Sequence, residues 1–163
     1  MLSRIPIWVF AVLALLIALG IWQSRPRTVS PATPILLALG FLLYSLYGVI
    51  GAFGISLAGL LPWTLAVASS VLAGPRVFGP ADLTRVPGTS RIRVPGSWLP
   101  LGLMLGIFAA KFAVGFAEGA HLPVRNDAWF APLISAALGA LSGGFASRAL
   151  TVRRYLLQTA GDD

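Results

Sequence analysis

The sequence contains no cysteine and only one histidine, His121. The lack of cysteine excludes disulfide bonds, thiol catalysis and iron–sulfur clusters. A single histidine excludes a bis-histidine haem site or a multi-histidine metal site within one chain. We therefore expect no metal and no cofactor, and we expect His121 to be a solvated surface residue.

Charged residues are also scarce. They make up 10% of the chain, whereas hydrophobic residues make up 57%. A soluble domain carries about 25% charged residues, so this chain has too few charges to coat a soluble surface. A disordered chain needs low hydrophobicity and is excluded as well. The composition predicts an integral membrane protein, in which a net charge of +7 does not indicate a nucleic-acid partner.

The usual catalytic motifs are missing too. The sequence has no Gly-x-Ser-x-Gly elbow, no phosphate-binding loop and no His-Glu-x-x-His helix. No aspartate lies within an apolar run. We predict no catalytic residue, and an enzyme is the least favoured of the function classes because only Lys111, Glu118 and the tyrosines are suited to acid–base chemistry.

What the sequence does contain is a series of apolar runs of membrane-spanning length. The first run lacks a small-x-small cleavage site and is interpreted as a retained span. The uncharged stretch between Arg27 and Arg76 is too long for one helix of about 20 residues. It must hold two helices, with a turn at Gly51–Ser56 and an end at Gly74-Pro75. The sequence predicts one membrane domain over residues 1–163, an all-α bundle of five transmembrane helices at about 5–22, 34–52, 56–73, 98–120 and 128–147.

The connection over residues 75–97 is the one polar loop of substantial length. Leu83–Val86 and Arg91–Val94 alternate in residue type and flank Pro87–Ser90. This pattern predicts a short β-hairpin-like loop between the third and fourth helices. The loop carries candidate contacts for anionic lipid or a partner protein at Arg85, Arg91 and Arg93.

The arginines are distributed unevenly between the two ends of the predicted bundle. With five spans, nine arginines lie on one side of the membrane, and only Arg4 and Arg125 lie on the other. The positive-inside rule then places the N-terminus outside and the C-terminus in the cytoplasm. The polar loop is cytoplasmic in this arrangement.

Lys111 is the one charge deep within a predicted span, about 20 Å past Trp98 along the helix. A lysine at the bilayer centre costs roughly 2.5–3.5 kcal/mol on insertion scales. It is either a buried cation that binds an anion or carries a proton, or a structural lysine paired with carbonyls or with Glu118. Matching depths in neighbouring helices give a candidate ligand- or ion-binding site of Lys111, Tyr44, Tyr47, Glu118 and Ser135.

Many of the 18 glycines are spaced by four residues. Small residues at this spacing let helices approach closely in lipid. They serve packing within one subunit or association between subunits, and the sequence leaves both open. The clearest pairs are Gly102 with Gly106, Gly115 with Gly119, and Gly139 with Gly143.

A motif runs from the polar loop into the lysine span and consists of Val94–Leu101, Met104, Ile107, Phe108, Lys111 and Gly115. Together with Ser45–Gly48 and the small-residue run that ends at Arg148, it resembles a family of small proteobacterial inner-membrane proteins defined only as a domain of unknown function. The resemblance covers most of the chain. It implies a bacterial inner membrane and carries over no catalytic residue.

The sequence is compatible with two functions. The first is a homo-oligomeric membrane protein, expected to be a homodimer, that binds or moves a small solute or ion, such as an anion or a proton, at Lys111. The alternative is a non-transporting scaffold or accessory subunit that docks a partner or anionic lipid through its cytoplasmic arginine-rich loop. The expected partners are the lipid bilayer and a second copy of the chain.

Overall fold

The computed structural model of the protein describes residues 7–77, 83–86, 89 and 91–159. The predictions made for Arg4 and for the Pro87-Gly88 turn lie outside these residues. The chain is mostly helical, and a 3-10 turn at Pro123–Asn126 precedes the last helix. The helices are α1 (Ile7–Gln23), α2 (Ala32–Phe53), α3 (Leu57–Val77), α4 (Leu99–Gly119) and α5 (Phe130–Thr159).

Length and apolar composition are sufficient for a membrane crossing in four of these helices, α2 to α5. The first helix, α1, has 17 residues and is a shorter apolar helix. At 1.5 Å per residue it is about 26 Å long, against a hydrocarbon core of about 30 Å. The described chain is therefore compatible with a membrane protein of several spans.

The central element is α5, which packs against α2, α3 and α4, while α1 packs against α4. Small residues on α5 allow this close contact. A Cβ atom on Gly139 would overlap the carbonyl oxygen of Trp63, and one on Gly143 would lie 2.7 Å from Cβ of Ser70. These two glycines pack helices within one chain, which is the first of the two uses that the sequence left open.

The turn between α2 and α3 falls within the predicted segment Gly51–Ser56. Gly54 has a φ of +67° and its N–H donates to the carbonyl of Ile50 at 2.8 Å, which closes α2. The apolar, span-length part of α3 is Leu57–Gly74, close to the predicted span, and the helix itself continues past Gly74-Pro75 to Val77. A proline so near a helix end removes only one backbone hydrogen bond, so the helix can continue past it.

A small antiparallel sheet lies beside the helices, with strand order β1-β3-β2. β1 is Arg27–Val29, β2 is Thr84–Arg85 and β3 is Ile92–Val94. The strands β2 and β3 come from the polar loop. The first strand comes from the α1–α2 connection, for which the sequence had predicted no strand.

The sheet is fixed to the last helix by apolar contacts. Ile92 and Val94 are buried and cluster with Val152 of α5, and Leu156 packs against this cluster. These contacts explain why α5 runs on past the predicted end of the fifth span at Ser147. Beyond that residue the helix supports the sheet, and a helix can leave the bilayer without ending.

Candidate functional site

Lys111 lies in the middle of α4, and its amine is held against two aromatic rings of α2. Its Nζ atom is 3.6 Å from the ring centroid of Tyr44 and 5.9 Å from that of Tyr47. A cation over the face of an aromatic ring is attracted by the ring quadrupole, with about 0.5–1 kcal/mol at exposed sites and about 2 when desolvated. The contact offsets part of the cost of placing a lysine within a span.

Gly48 makes room for this lysine. Tyr44, Tyr47 and Gly48 are spaced by three and four residues, so they share one face of α2. A Cβ atom on Gly48 would lie 2.5 Å from Nζ of Lys111 and 2.8 Å from its Cε. The side chain of Lys111 therefore crosses α2 at a position where α2 carries no side chain.

The cluster lies on the outer surface of the helical bundle. Tyr44 is 51% exposed and Tyr47 is 74% exposed, while Lys111 is partly buried. No carboxylate among the described residues lies within ion-pair distance of Lys111. The described helices therefore do not enclose the Lys111 cluster: both tyrosine side chains are exposed, and Lys111 is partly buried.

Glu118 is held by a different partner. Its Oε1 atom accepts a hydrogen bond from Nη1 of Arg125 at 2.7 Å, and Nη2 of Arg125 donates to the carbonyl of Ala52 at 3.4 Å. Both side chains of the pair are exposed to solvent or lipid at 36% or more. The pair ties the α4–α5 connection to the end of α2, and such an exposed pair contributes about 0–1 kcal/mol.

Ser135 is fully buried on α5, and no partner for its hydroxyl is found among the described residues. None of the hydrogen bonds described joins it to Lys111. The structure thus brings together Lys111, Tyr44 and Tyr47 from the predicted site, with Glu118 in a separate ion pair and Ser135 in the packed interior. A ligand-binding role for these residues stays a prediction.

Two of the predicted loop arginines, Arg91 and Arg93, lie on one face of the small sheet, whereas Arg85 pairs with Ile92 and so belongs to the other face. Arg85, Arg91 and Arg93 are all exposed, whereas Ile92 and Val94 are buried. The alternation along β3 follows from the two-residue period of a strand, which turns successive side chains to opposite faces. The face that carries Ile92 and Val94 rests on α5, and the opposite face presents Arg93 with Arg91 beside it.

Comparison with known proteins gives the family of this chain. A family model described as a family of unknown function (DUF6622) matches residues 1–162. The chain belongs to DUF6622. No curated protein and no solved structure matches it. Membership in DUF6622 brings no activity with it, so a function has to be argued from the side chains.

A hydrogen-bonded chain through the interior of this DUF6622 protein was missed by the sequence analysis. Nε1 of Trp63 donates to Oγ of Ser45 at 3.0 Å, and Oγ of Ser45 donates to Oγ of Ser142 at 2.9 Å. Oγ of Ser142 in turn donates to the carbonyl of Leu138 at 2.8 Å. Tryptophans in membrane proteins favour the interfaces, and Trp63 instead lies inside the predicted span 56–73, which was the available signal. Its indole N–H links α3 to α2, and the hydrogen bond from Ser45 to Ser142 continues the chain to α5.

The hydrogen-bond donors of the Lys111 cluster in this DUF6622 chain determine which ligands it can bind. An ammonium group has three N–H donors and no acceptor. The Tyr44 ring covers one side of the amine, so an anion or a proton acceptor can approach from another. Among the residues described, no group of three or more metal-ligating side chains is present.

Proposed function

We propose that this protein is a homo-oligomeric, multi-pass membrane protein that binds or moves a small anion or a proton at the Lys111 cluster. The observation that carries the proposal is the Lys111 amine at 3.6 Å from the Tyr44 ring centroid, half-way along an apolar helix and on an outward face. Ionisable residues within spans are costly and mark ligand or proton pathways. The exposed cluster supports this reading over a purely structural lysine.

A second copy of the chain would cover the cluster. In a monomer, the amine of Lys111 and the rings of Tyr44 and Tyr47 would face hydrocarbon. Gly115 and Gly119 follow on α4, and a Cβ atom at either would meet no atom of the chain within 4 Å. Because Gly115 is four residues after Lys111, both lie on one face of α4. Open small residues beside a membrane-embedded cation are typical of a helix–helix contact in lipid, and this supports a homodimer with the Lys111 cluster at its interface.

The proposed topology has five spans in a bacterial inner membrane, with the N-terminus outside and the C-terminus in the cytoplasm. It requires α1 to cross together with the four longer helices. The sheet with its exposed arginines and the Arg125–Glu118 pair then lie on opposite sides of the membrane. The arginine distribution supports this orientation through the positive-inside rule.

Reconstituted liposomes test the proposed activity. Proton and chloride fluxes are measured with trapped indicator dyes for the wild-type chain, Lys111→Ala and Lys111→Arg. The matched control is Arg76→Ala, which removes an exposed cation in the last turn of α3. We expect the flux of one of the two ions to fall at least tenfold in Lys111→Ala and to be unchanged in Arg76→Ala. Wild-type flux in a folded Lys111→Ala protein, or no wild-type flux above that of empty liposomes, contradicts the proposal.

The second candidate function is a scaffold or accessory subunit, favoured by the exposure of Arg85, Arg91 and Arg93 in the loop that forms the small sheet. Basic residues near a membrane attract anionic lipid or an acidic partner, with about 1 kcal/mol for each charge near the surface. The double charge reversal Arg91→Glu with Arg93→Glu should abolish capture of such a partner. If the protein is a scaffold, Lys111→Ala should leave capture of the partner intact. This result distinguishes the scaffold function from the proposed binding or transport function.

A further inference from the structure

A cavity of about 50 Å³ lies at the end of the bundle that carries the sheet. It is bounded by the last turn of α1, by β1 and β3, and by parts of α2, α4 and α5. Most of its lining is apolar. The polar side chains that line it are Gln23, Arg27, Thr33 and Arg148.

Arg27 makes two side-chain contacts, but one of its hydrogen-bond donors is unsatisfied. Its Nη2 atom donates to Oε1 of Gln23 at 3.2 Å, and its Cζ atom lies 4.9 Å from the ring centroid of Trp22. Its Nη1 atom is buried and has no hydrogen-bond partner among the described residues. Burial lowers the pKa of the Arg27 guanidinium. An unsatisfied buried donor costs about 1–3 kcal/mol, so a donor of this kind calls for an explanation.

Arg148 brings a second positive charge to the same cavity, and the two guanidiniums repel each other. Arg148 also has a further interaction of its own. The unsatisfied guanidinium nitrogen at the cavity belongs to Arg27. No described carboxylate lines the cavity. The described carboxylates, Glu118 and Asp127, lie near the α4–α5 connection, whereas the cavity reaches α4 at Pro100 in its first turn.

We propose that this cavity is a binding site for a phosphate group, held by Arg27 and Arg148 with the hydroxyl of Thr33 as a further donor. A planar guanidinium offers paired N–H donors that match phosphate oxygens. One water needs about 10–15 Å³ of such a cavity, so the space accommodates roughly four oxygen-sized atoms, the number in a phosphate group. A phosphate would accept a hydrogen bond from the unsatisfied Nη1 atom of Arg27 and offset the positive charge of its guanidinium.

The phosphate can belong to a phospholipid headgroup or to a free phosphate ion. Trp22, which stacks on Arg27, is 63% exposed, and exposed tryptophans sit at headgroup depth in membrane proteins. The site is separate from the Lys111 cluster, because Pro100 and Lys111 are about 16 Å apart along α4. The result of the liposome flux experiment on the Lys111 cluster therefore neither supports nor contradicts the proposed phosphate site.

The test uses the purified full-length chain in detergent, freed of lipid. Inorganic phosphate and short-chain phosphatidylglycerol are titrated separately and followed by ³¹P line broadening, with sulfate-free chloride buffer at constant ionic strength. We expect saturable binding in at least one arm. Saturation by phosphatidylglycerol alone identifies the headgroup as the source, and saturation by inorganic phosphate identifies the free ion.

Two variants locate the bound group. Arg27→Gln keeps hydrogen-bond donors but removes the charge, and we expect its affinity to fall at least tenfold. The matched control is Arg25→Gln, which removes an exposed charge two residues away, and we expect a change of less than twofold. Equal affinities in the two variants overturn the proposal. If Arg27→Gln does not fold, the wild-type titration still decides, since the absence of saturable binding of both probes overturns it.

Discussion

At the scale of single residues, Lys111 can be observed in isolation because it is the only lysine of the chain. Reductive methylation with ¹³C-formaldehyde labels its amine, and apart from the N-terminal amine no other site reacts. At 3.6 Å from the ring centroid, the ring current of Tyr44 should shift the methyl resonance upfield. We expect Tyr44→Leu to move this resonance downfield by several tenths of a ppm in the protein in micelles.

The neighbouring ring supplies the control for that measurement. Tyr47 lies 5.9 Å from the amine, and ring-current effects fall steeply with distance, so Tyr47→Leu should move the methyl resonance much less. A larger shift in Tyr47→Leu than in Tyr44→Leu would contradict the arrangement on which the Lys111 cluster is built.

His121 has a left-handed backbone conformation, which the amino-acid composition does not predict. It has a φ of +52°, and its N–H and that of Leu122 donate to the carbonyls of Glu118 and Ala117. This is a Schellman ending of α4 with histidine where glycine is usual. The left-handed conformation costs a residue with a Cβ atom about 1–2 kcal/mol. Replacing histidine by glycine removes this cost, but part of the stabilisation is lost because glycine has more conformational entropy in the unfolded chain.

We expect His121→Gly to stabilise the protein by roughly 0.5–1 kcal/mol, seen as a higher Tm in detergent. His121→Ala removes the same imidazole but keeps the Cβ atom, so it should give no gain. An equal gain in both variants would mean that the imidazole, and not the backbone conformation, sets the cost.

At the scale of elements, the contact between α3 and α5 depends on glycine. Gly139→Ala would drive a Cβ atom into the backbone carbonyl of Trp63, and backbone cannot move aside as a flexible side chain can. We expect a loss of about 1–3 kcal/mol, measured as a lower Tm in micelles. Gly115→Ala is the matched control, since its Cβ atom meets nothing within 4 Å, and it should not lower the Tm of the monomer.

Gly115→Ala has a second readout, because its Cβ atom would lie in the proposed contact between copies. We expect it to weaken the dimer without unfolding the chain, as measured by light scattering in detergent. An unchanged oligomeric state in a folded Gly115→Ala protein would argue against a subunit contact at this face of α4.

The helices could be predicted from sequence because each contains a long, mostly apolar run, and the turn at Gly54 because glycines interrupt one such run. β1 could not, since Arg27–Val29 has only three residues and its partner β3 is far along the chain. Separation along the chain also hid the hydrogen bonds of Ser45 with Trp63 and Ser142. Helical depth matched Lys111 with Tyr47, but it could not foresee that Gly48 lets the amine reach Tyr44, or that Arg125 engages Glu118.

At the scale of the whole molecule, the proposed topology divides the surface into two faces that a membrane would separate. The chain has no cysteine, so single substitutions can be labelled without background by a membrane-impermeant maleimide on intact cells. We expect Ile7→Cys and Asn126→Cys to react from outside. Thr89→Cys and Leu157→Cys should react only after permeabilisation, because these exposed positions lie on the arginine-rich side. If α1 does not cross the membrane, Ile7→Cys will react on the same side as Thr89→Cys, and a fully reversed pattern would contradict the orientation while leaving five spans in place.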